Sequence, residues 1–156
     1  MSDAQHVFRL DLQSHLDVLE YVQLVCDHVC TTARFDEDAV HWVGVAVRES
    51  VINAIKHGNR ESREKQVHLE FTFVDAGETA MDETGQAGTG HLEIRVLDEG
   101  EGFDPEEVAD PLAPENLLKA SGRGIFFMRS FMDELVLHRR PEGGMEVRMR
   151  KQLPAA

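Results

Sequence analysis

Apolar and polar positions follow two different periods along the chain, and these periods predict which segments are strands and which are helices. Five segments combine apolar residues with polar neighbours in the manner of half-buried strands. They are residues 6–12, 67–73, 92–96, 135–137 and 145–151. Because turns rather than helices join several of them, the pairing is predicted to be mostly antiparallel.

Three other segments carry apolar residues at helical spacing. In the first, Leu16, Leu19, Val22 and Val25 predict a helix that ends near residue 31. The second runs through Trp42, Val45, Ala46 and Ile52 to residue 58, and the third covers residues 124–132.

Residues at the ends of these segments are typical of helix caps. Ser14 is a predicted N-cap of the first helix, and residues 36–38 provide acidic capping groups for the second. Gly58 is a predicted stop, because glycine accepts the left-handed conformation that follows many helices. The predicted fold class is α+β: one domain over residues 1–156, a two-layer α/β sandwich with helices on one face of a mixed, largely antiparallel sheet.

Residues 75–90 separate two predicted strands and are rich in Gly, Thr, Asp and Glu. Loops of this length without secondary structure of their own are uncommon in compact domains. The composition predicts a flexible, solvated loop.

The charge balance excludes some functions. With 16 Lys and Arg against 29 Asp and Glu, the formal net charge is -13, which argues against binding nucleic acid or an anionic membrane surface. Cys26 and Cys30 are expected to be reduced thiols, one of them partly buried. No apolar run approaches the roughly 20 residues of a membrane span, and the polar first residues do not resemble a secretory signal. A cytoplasmic protein is expected.

The first candidate motif lies in the second predicted helix, where Glu49, Asn53 and His57 are spaced by four residues and share one face. An Asn oxygen can help to hold Mg²⁺, and a Glu can accept a proton from an attacking hydroxyl. An ordinary amphipathic helix with a solvated polar stripe has the same spacing, so this motif alone leaves both interpretations open.

The second motif, Asp98-Glu99-Gly100-Glu101-Gly102, follows an alternating strand. Its glycines allow the backbone to approach a flat ligand, and Asp98 can accept a hydrogen bond from an amino group such as that of adenine. A plain turn has a similar composition.

The third motif, Gly122-Arg123-Gly124, leads directly into a predicted helix. Glycines before a helix expose backbone N–H groups that favour phosphate. A flexible loop ahead of a capped helix remains the alternative.

Taken together, the three motifs resemble the N, G1 and G2 boxes of the GHKL ATPases: E-x-x-x-N-A-x-x-H-G, then D-x-G-x-G-F-D-P, then S-G-x-G-I. The segment 121–135, S-G-R-G-I-F-F-M-R-S-F-M-D-E-L, is similar to the anti-sigma-factor serine kinases of that superfamily. The resemblance implies a Bergerat ATP-binding fold that uses ATP and Mg²⁺.

The resemblance also implies a role for each matching position. Glu49 would be the general base and Asn53 the Mg²⁺ ligand, with His57 in the same box, while Asp98 would bind adenine. The positions implied to shape the adenine pocket or contact the phosphates are Gly100, Gly102, Lys119, Gly122, Arg123 and Gly124, together with an ATP lid over residues 104–121. Glu99 and Glu101 are expected to point to solvent.

In this family, a homodimer sequesters a sigma factor and phosphorylates a serine of a STAS-domain antagonist. One departure is that Gly144-Met145 replaces the usual Gly-Thr pair, which puts one polar contact of the adenine site in doubt. The departure favours an alternative, a partner-switching module that does not catalyse transfer. A detached histidine-kinase-type catalytic domain is a further alternative.

Overall fold

The computed structural model describes residues 5–74, 90–102 and 129–154. The described elements, in chain order, are β1 (Gln5–Gln13), a 3₁₀ turn (Leu16–Val18), α1 (Leu19–Thr32), α2 (Glu37–Asn53), a π turn (Ala54–Gly58), β2 (Gln66–Val74), β3 (His91–Leu97), β4 (Glu134–Arg139) and β5 (Met145–Gln152). Each predicted strand is confirmed to within a few residues. Of the predicted flexible loop, only residue 90 is described.

The five strands form one sheet in the order β1-β2-β3-β5-β4, and every neighbouring pair in it is antiparallel. The registers place Leu10 opposite Leu69, and Val96 opposite both Leu69 and Val147. Because side chains alternate between the two faces of a strand, these pairs build one apolar face. The α+β prediction is confirmed, and the described strands contain no parallel pair.

The core lies between this apolar face and the two helices. Leu69, Phe71 and Ile94 are fully buried there, and so are Val47 and Val51 of α2. Burying one such side chain contributes about 1.5–3 kcal/mol. Helix α1 joins the same core through Val22, Cys26, Val29 and Cys30.

The predicted caps are right in one case and wrong in the other. Asp36 caps α2, and its Oδ1 accepts a 2.7 Å hydrogen bond from the Ala39 N–H. Ser14 caps no helix: His15 precedes the 3₁₀ turn and accepts from the Asp17 N–H. The Ser14 hydroxyl instead donates to the Lys65 carbonyl, because the chain folds Ser14 against the start of β2.

Gly58 does not end α2 in the predicted way. The helix widens into the π turn, and Gly58 is its last residue. Arg60 and Glu61 take the left-handed conformation instead, with φ of 52° and 57°. Gly58 is needed for close packing, as described below.

Trp42 lies on α2 as predicted, but outside the buried stripe of the helix. The buried stripe of α2 passes through Val43, Val47 and Val51, and a neighbouring residue lies about 100° away from it on a 3.6-residue helix. Trp42 is therefore 39% exposed, and its ring stacks on Phe131 with centroids 4.1 Å apart.

Cys26 and Cys30 are free thiols as expected, but both are fully buried, since they face the core from successive turns of α1. A hydrogen bond with Cys30, together with burial, raises the pKa of the Cys26 thiol.

Candidate nucleotide-binding site

Asp98 follows the last residue of β3 and is 5% exposed. Its Oδ1 accepts hydrogen bonds from the Gly100 N–H at 3.0 Å and from the Met145 N–H at 3.1 Å. Its own N–H donates to the Met145 carbonyl at 3.0 Å, which extends the pairing of β3 and β5. Two strands and a tight turn therefore fix this carboxylate.

The second carboxylate oxygen of Asp98, Oδ2, differs from Oδ1 in its hydrogen bonding. Across residues 5–74, 90–102 and 129–154, no N–H or O–H group donates to it. Burial raises the pKa of Asp98, and the N–H groups of Gly100 and Met145 oppose the rise. Among the described residues, the buried side-chain atoms that lack a hydrogen-bond partner are Arg148 Nε and Arg150 Nε, so Asp98 Oδ2 is not sealed in the interior and can be reached from outside. Oδ2 is thus suited to accept from a ligand.

Two close contacts, one with the Asp98 side chain and one with the Gly58 backbone, bring the end of the π turn against the Asp98 loop. A Cβ on Gly58 would collide with the Asp98 carboxylate, and a Cβ on Gly100 would collide with the Gly58 carbonyl. Any side chain at either position would force the two segments apart. These glycines bring the first and second motifs together.

The turn before β5 closes on the same loop. Gly144 has φ of 90° and its Cα packs on the Asp98 carbonyl, whereas Gly102 has φ of 75° and lies against the Gly144 carbonyl. Met145 follows, and its side chain is buried. The sequence left one polar contact here in doubt, and the structure supplies a contact to Asp98 from the Met145 N–H, whatever the side chain.

Helix α2 carries Glu49 and Asn53, both partly buried and one turn apart. Neither side chain is hydrogen-bonded to another residue in the part of the chain that is described. His57 lies in the π turn and is exposed. The four-residue stacking inferred for a regular helix covers Glu49 and Asn53, but the wider turn breaks that spacing before His57.

Asn59 connects the segments of the site, and no pattern in the sequence singled it out. It is 1% exposed, and its Nδ2 donates to Ser14 Oγ at 2.8 Å and to the Gln66 carbonyl at 2.9 Å. Its Oδ1 accepts from the Glu99 N–H at 2.8 Å. The side-chain amide of Asn59 thereby joins three segments: Ser14 after β1, the start of β2 and the loop after β3.

The Glu99 side chain is 37% exposed, but its carboxylate is bonded to the protein rather than free in solvent as expected. Its Oε1 accepts from the Gln66 N–H at 2.7 Å, and its Oε2 lies 3.0 Å from His68 Nε2. These contacts lower the pKa of Glu99, the Gln66 N–H most strongly. Glu101 is exposed as expected: its carboxylate lies 4.0 Å from Arg60 Nη2, and its carbonyl accepts from Arg139 Nη2 at 3.4 Å.

The other predicted phosphate-site residues lie outside the described part of the chain. These are Lys119, Gly122, Arg123, Gly124 and the predicted lid over residues 104–121. Their roles stay predictions.

A family model for the histidine kinase-like ATPase domain matches residues 12–151. The chain belongs to the histidine kinase-like ATPase family. The match includes β2–β5, both helices and all three motifs.

Relatives of this ATPase-family chain are named as kinases and anti-sigma factors. Serine-protein kinase RsbW of Staphylococcus epidermidis is 26% identical over 160 aligned positions, which cover 98% of this chain and 91% of the relative. The anti-sigma F factor of Bacillus subtilis (strain 168) is 34% identical over 121 positions, covering 74% of this chain and 71% of the relative. The anti-sigma F factor of Heyndrickxia coagulans is 33% identical over 111 positions, covering 69% and 65%.

Among solved structures, the histidine kinase domain from the Erythrobacter litoralis EL346 blue-light activated histidine kinase shares the fold. The TM-score is 0.50 at 16% identity, and the match covers 87% of this chain and 61% of the other. The chain thus spans about three fifths of that protein's length.

These findings confirm the predicted superfamily, an anti-sigma-factor kinase type of GHKL protein, and the predicted enzyme class, a serine/threonine protein kinase. Within the described residues, no helix has both the length and the apolar character needed to cross a bilayer.

Proposed function

We propose that this chain is a cytoplasmic, ATP-dependent anti-sigma-factor kinase that binds a sigma factor and phosphorylates a serine of a STAS-type antagonist protein, acting as a homodimer. The observation that carries the nucleotide part of this proposal is the buried Asp98 carboxylate. One of its oxygens is fixed by two backbone N–H groups, and the other has no donor among the described residues.

Adenine recognition follows from this arrangement. The amino group of adenine would donate to Asp98 Oδ2, while Gly58 and Gly100 keep Cβ atoms out of the space beside the carboxylate. Satisfying a buried charged acceptor is among the stronger hydrogen-bonding contributions. A guanine base presents a carbonyl at the corresponding position and would be disfavoured.

Helix α2 would present the reactive groups along the bound nucleotide. Because the rise is about 1.5 Å per residue, Asn53 lies roughly 7 Å and Glu49 roughly 13 Å along the axis from the Gly58 end. The adenine would therefore lie at the end of the helix and the phosphates further along it. Mg²⁺, when bound with ATP, would screen the phosphate charge, and the Asn53 amide oxygen fits the hard oxygen ligands this ion prefers.

Glu49 would accept the proton of the substrate serine. Its partly buried carboxylate makes no hydrogen bond to the described residues, so it is free to act as a base. The protein would otherwise contribute by positioning and by electrostatic stabilisation, as in other phosphoryl transfers. The phosphate contacts are proposed for Lys119, Gly122, Arg123 and Gly124.

The partners are proposed from the relatives and from charge. The names of the relatives specify anti-sigma activity and serine kinase activity. The net charge of -13 would attract a basic surface on a sigma factor, because long-range attraction accelerates encounter.

A second candidate function is partner holding without catalysis. The observation that favours it is Met145, which replaces a threonine hydroxyl beside the adenine site with a buried thioether. We rank it second because the Met145 N–H bonds to Asp98 Oδ1, and because Glu49 and Asn53 are both present. A detached histidine-kinase domain ranks third, since that likeness concerns the fold alone.

The deciding experiment is calorimetric titration of the full chain with a non-hydrolysable ATP analogue, with and without Mg²⁺. We expect binding that strengthens with Mg²⁺, and we expect Asn53→Ala to remove that gain because the amide oxygen is lost. An absence of binding by the folded protein would reject the nucleotide site. Binding without serine phosphorylation of any STAS-domain protein tested would favour the holding function.

A further inference from the structure

Glu99 is held by three hydrogen-bonding contacts, although its side chain is 37% exposed and it is the neighbour of Asp98, the proposed adenine ligand. Its N–H donates to Asn59, its Oε1 accepts from the Gln66 N–H, and its Oε2 contacts His68. A glutamate that only solubilised the surface would need none of these contacts, because exposed carboxylates are satisfied by water. Because these contacts fix Glu99, they also restrict the positions of the two residues bonded to it, Asp98 and Gly100.

His68, which contacts Glu99, is held on its other side by Asp11 of the edge strand β1. His68 Nδ1 is 2.6 Å from Asp11 Oδ1, and the His68 side chain is 10% exposed. One imidazole thus connects a carboxylate of β1 to a carboxylate of the loop after β3. The other charged groups around the ring are Arg9, whose Nη2 is 3.2 Å from Nδ1, and Glu70, which pairs with Arg9 at 3.6 Å.

The geometry of the strand end links Glu99 to the ligand-binding carboxylate. Asp98 and Glu99 point to opposite faces of the sheet and share one peptide group. The Asp98 carboxylate also depends on the Gly100 N–H, on the other side of Glu99. Fixing the Glu99 backbone and side chain therefore restricts the rotation that would turn Asp98 away from the pocket.

We propose that Glu99 and His68 are positioning residues that hold Asp98 in the orientation required to bind the nucleobase. The inference rests on the proposed nucleotide site. In this proposal, the affinity for adenine depends on the contact between Glu99 and His68, which lies on the face of the sheet opposite to the proposed nucleotide site. Neither residue is assigned a chemical step.

The chain provides a matched control for this inference. Glu99→Gln and Glu101→Gln each remove one negative charge from the same loop, but Glu101 is exposed and its carboxylate lies 4.0 Å from Arg60 Nη2. If charge alone mattered, both variants would change the affinity equally. If anchoring matters, only Glu99→Gln weakens it.

The first measurement is calorimetry of the full chain with Mg²⁺ and non-hydrolysable analogues of ATP and GTP, at a temperature well below unfolding. We expect Glu99→Gln and His68→Gln each to weaken ATP-analogue binding roughly tenfold, the scale of one charge-assisted hydrogen bond. We expect the preference for the ATP analogue over the GTP analogue to shrink as well. A merely stabilising role would lower the melting temperature and leave that preference unchanged.

The double variant tests whether the two residues act together. Because they form one contact, the combined loss should be smaller than the product of the two single losses. Independent losses would show that His68 acts on binding by another route and would overturn the pairing.

A second measurement does not need a nucleotide. In the ligand-free protein, the amide hydrogens of Gly100 and Met145, which both donate to Asp98, should exchange faster with solvent in Glu99→Gln than in Glu101→Gln. Equal exchange would overturn the positioning role even if the wild-type chain bound no nucleotide. Faster exchange in a protein that bound none would retain the positioning of Asp98 and reject only the proposed function.

Discussion

Asp98 and Glu99 are adjacent acidic residues that the fold places in opposite environments. Asp98 turns towards the helices, where it is 5% exposed and burial raises its pKa. Glu99 turns towards the open face, where the Gln66 N–H and His68 lower its pKa. The difference shows that strand alternation, rather than residue type, decides which carboxylate is available to a ligand.

The same contrast extends over the whole sheet. The helix side is an apolar core, interrupted at its end by Asp98. The opposite side carries ion pairs between neighbouring strands. Examples are Arg95 with Glu70 at 2.9 Å, Arg148 with Glu93 at 3.5 Å, and Arg150 with Glu134 at 3.3 Å. Such partly exposed pairs contribute about 0–1 kcal/mol each, so the open face is expected to tolerate change.

The largest effect is expected on the helix side, at Glu49. Glu49→Gln keeps the shape of the side chain but removes the proposed base, so phosphotransfer should fall about 10²–10⁴-fold while analogue affinity stays near the wild-type value. Single-turnover phosphorylation of a STAS-domain substrate, combined with calorimetry, measures both quantities. A fully active variant would remove Glu49 from the mechanism.

A somewhat smaller effect is expected at Asp98. Asp98→Asn should weaken ATP-analogue binding about a hundredfold, because the charged acceptor is lost and an amide N–H₂ group would face the adenine donor. The melting temperature at neutral pH should not fall, since a buried charge is removed. Unchanged affinity together with an unchanged ATP preference would show that the adenine lies elsewhere.

Asp98 and Glu99 should make the free energy of unfolding depend on pH in opposite directions. Because the folded-state pKa of Asp98 is raised, its ionised form costs stability, and that cost appears as pH rises through the folded pKa. The lowered pKa of Glu99 has the opposite effect: it contributes stability above its unfolded value, which is lost as pH falls through the folded pKa.

Nucleotide binding should therefore weaken on acidification as Asp98 takes up its proton, and because burial raises the pKa of Asp98, the loss should begin at a higher pH than for an ordinary aspartate. Calorimetry over a pH series measures this, with circular dichroism to confirm folding at each point. Asp98→Asn should show weak binding that does not depend on pH in the same range. An equal pH dependence in both proteins would assign it to another group.

The smallest effect is expected on the open face away from Glu99. Glu93→Gln removes the carboxylate shared by Arg148 and Arg150, yet it should lower the free energy of unfolding by less than about 1 kcal/mol. ATP-analogue affinity should not change. Urea denaturation and calorimetry would detect a larger loss, which would show that this face is not uniformly tolerant.

The sequence predicted the strands and the first two helices well because each has a strong local period, whereas residues 124–128 of the third predicted helix lie outside the described residues. The alternation in Leu92, Ile94 and Val96 anticipated a buried face, and the acid at Asp36 anticipated a cap. It failed where residues from distant segments meet. Trp42 is a large apolar side chain in α2, but the stripe through Val43 and Val47 decides which side of that helix is buried.

The sequence by itself determined which reactive groups the site has: a helix with Glu49 and Asn53, and a strand followed directly by Asp98. Only the tertiary structure decided that Gly58 packs on Asp98, and that His68, thirty-one residues before Glu99, contacts it. The physical reason is that periodicity and caps act over one turn or one pleat. Close backbone approaches and shared hydrogen bonds depend on the register between strands, which no local pattern encodes.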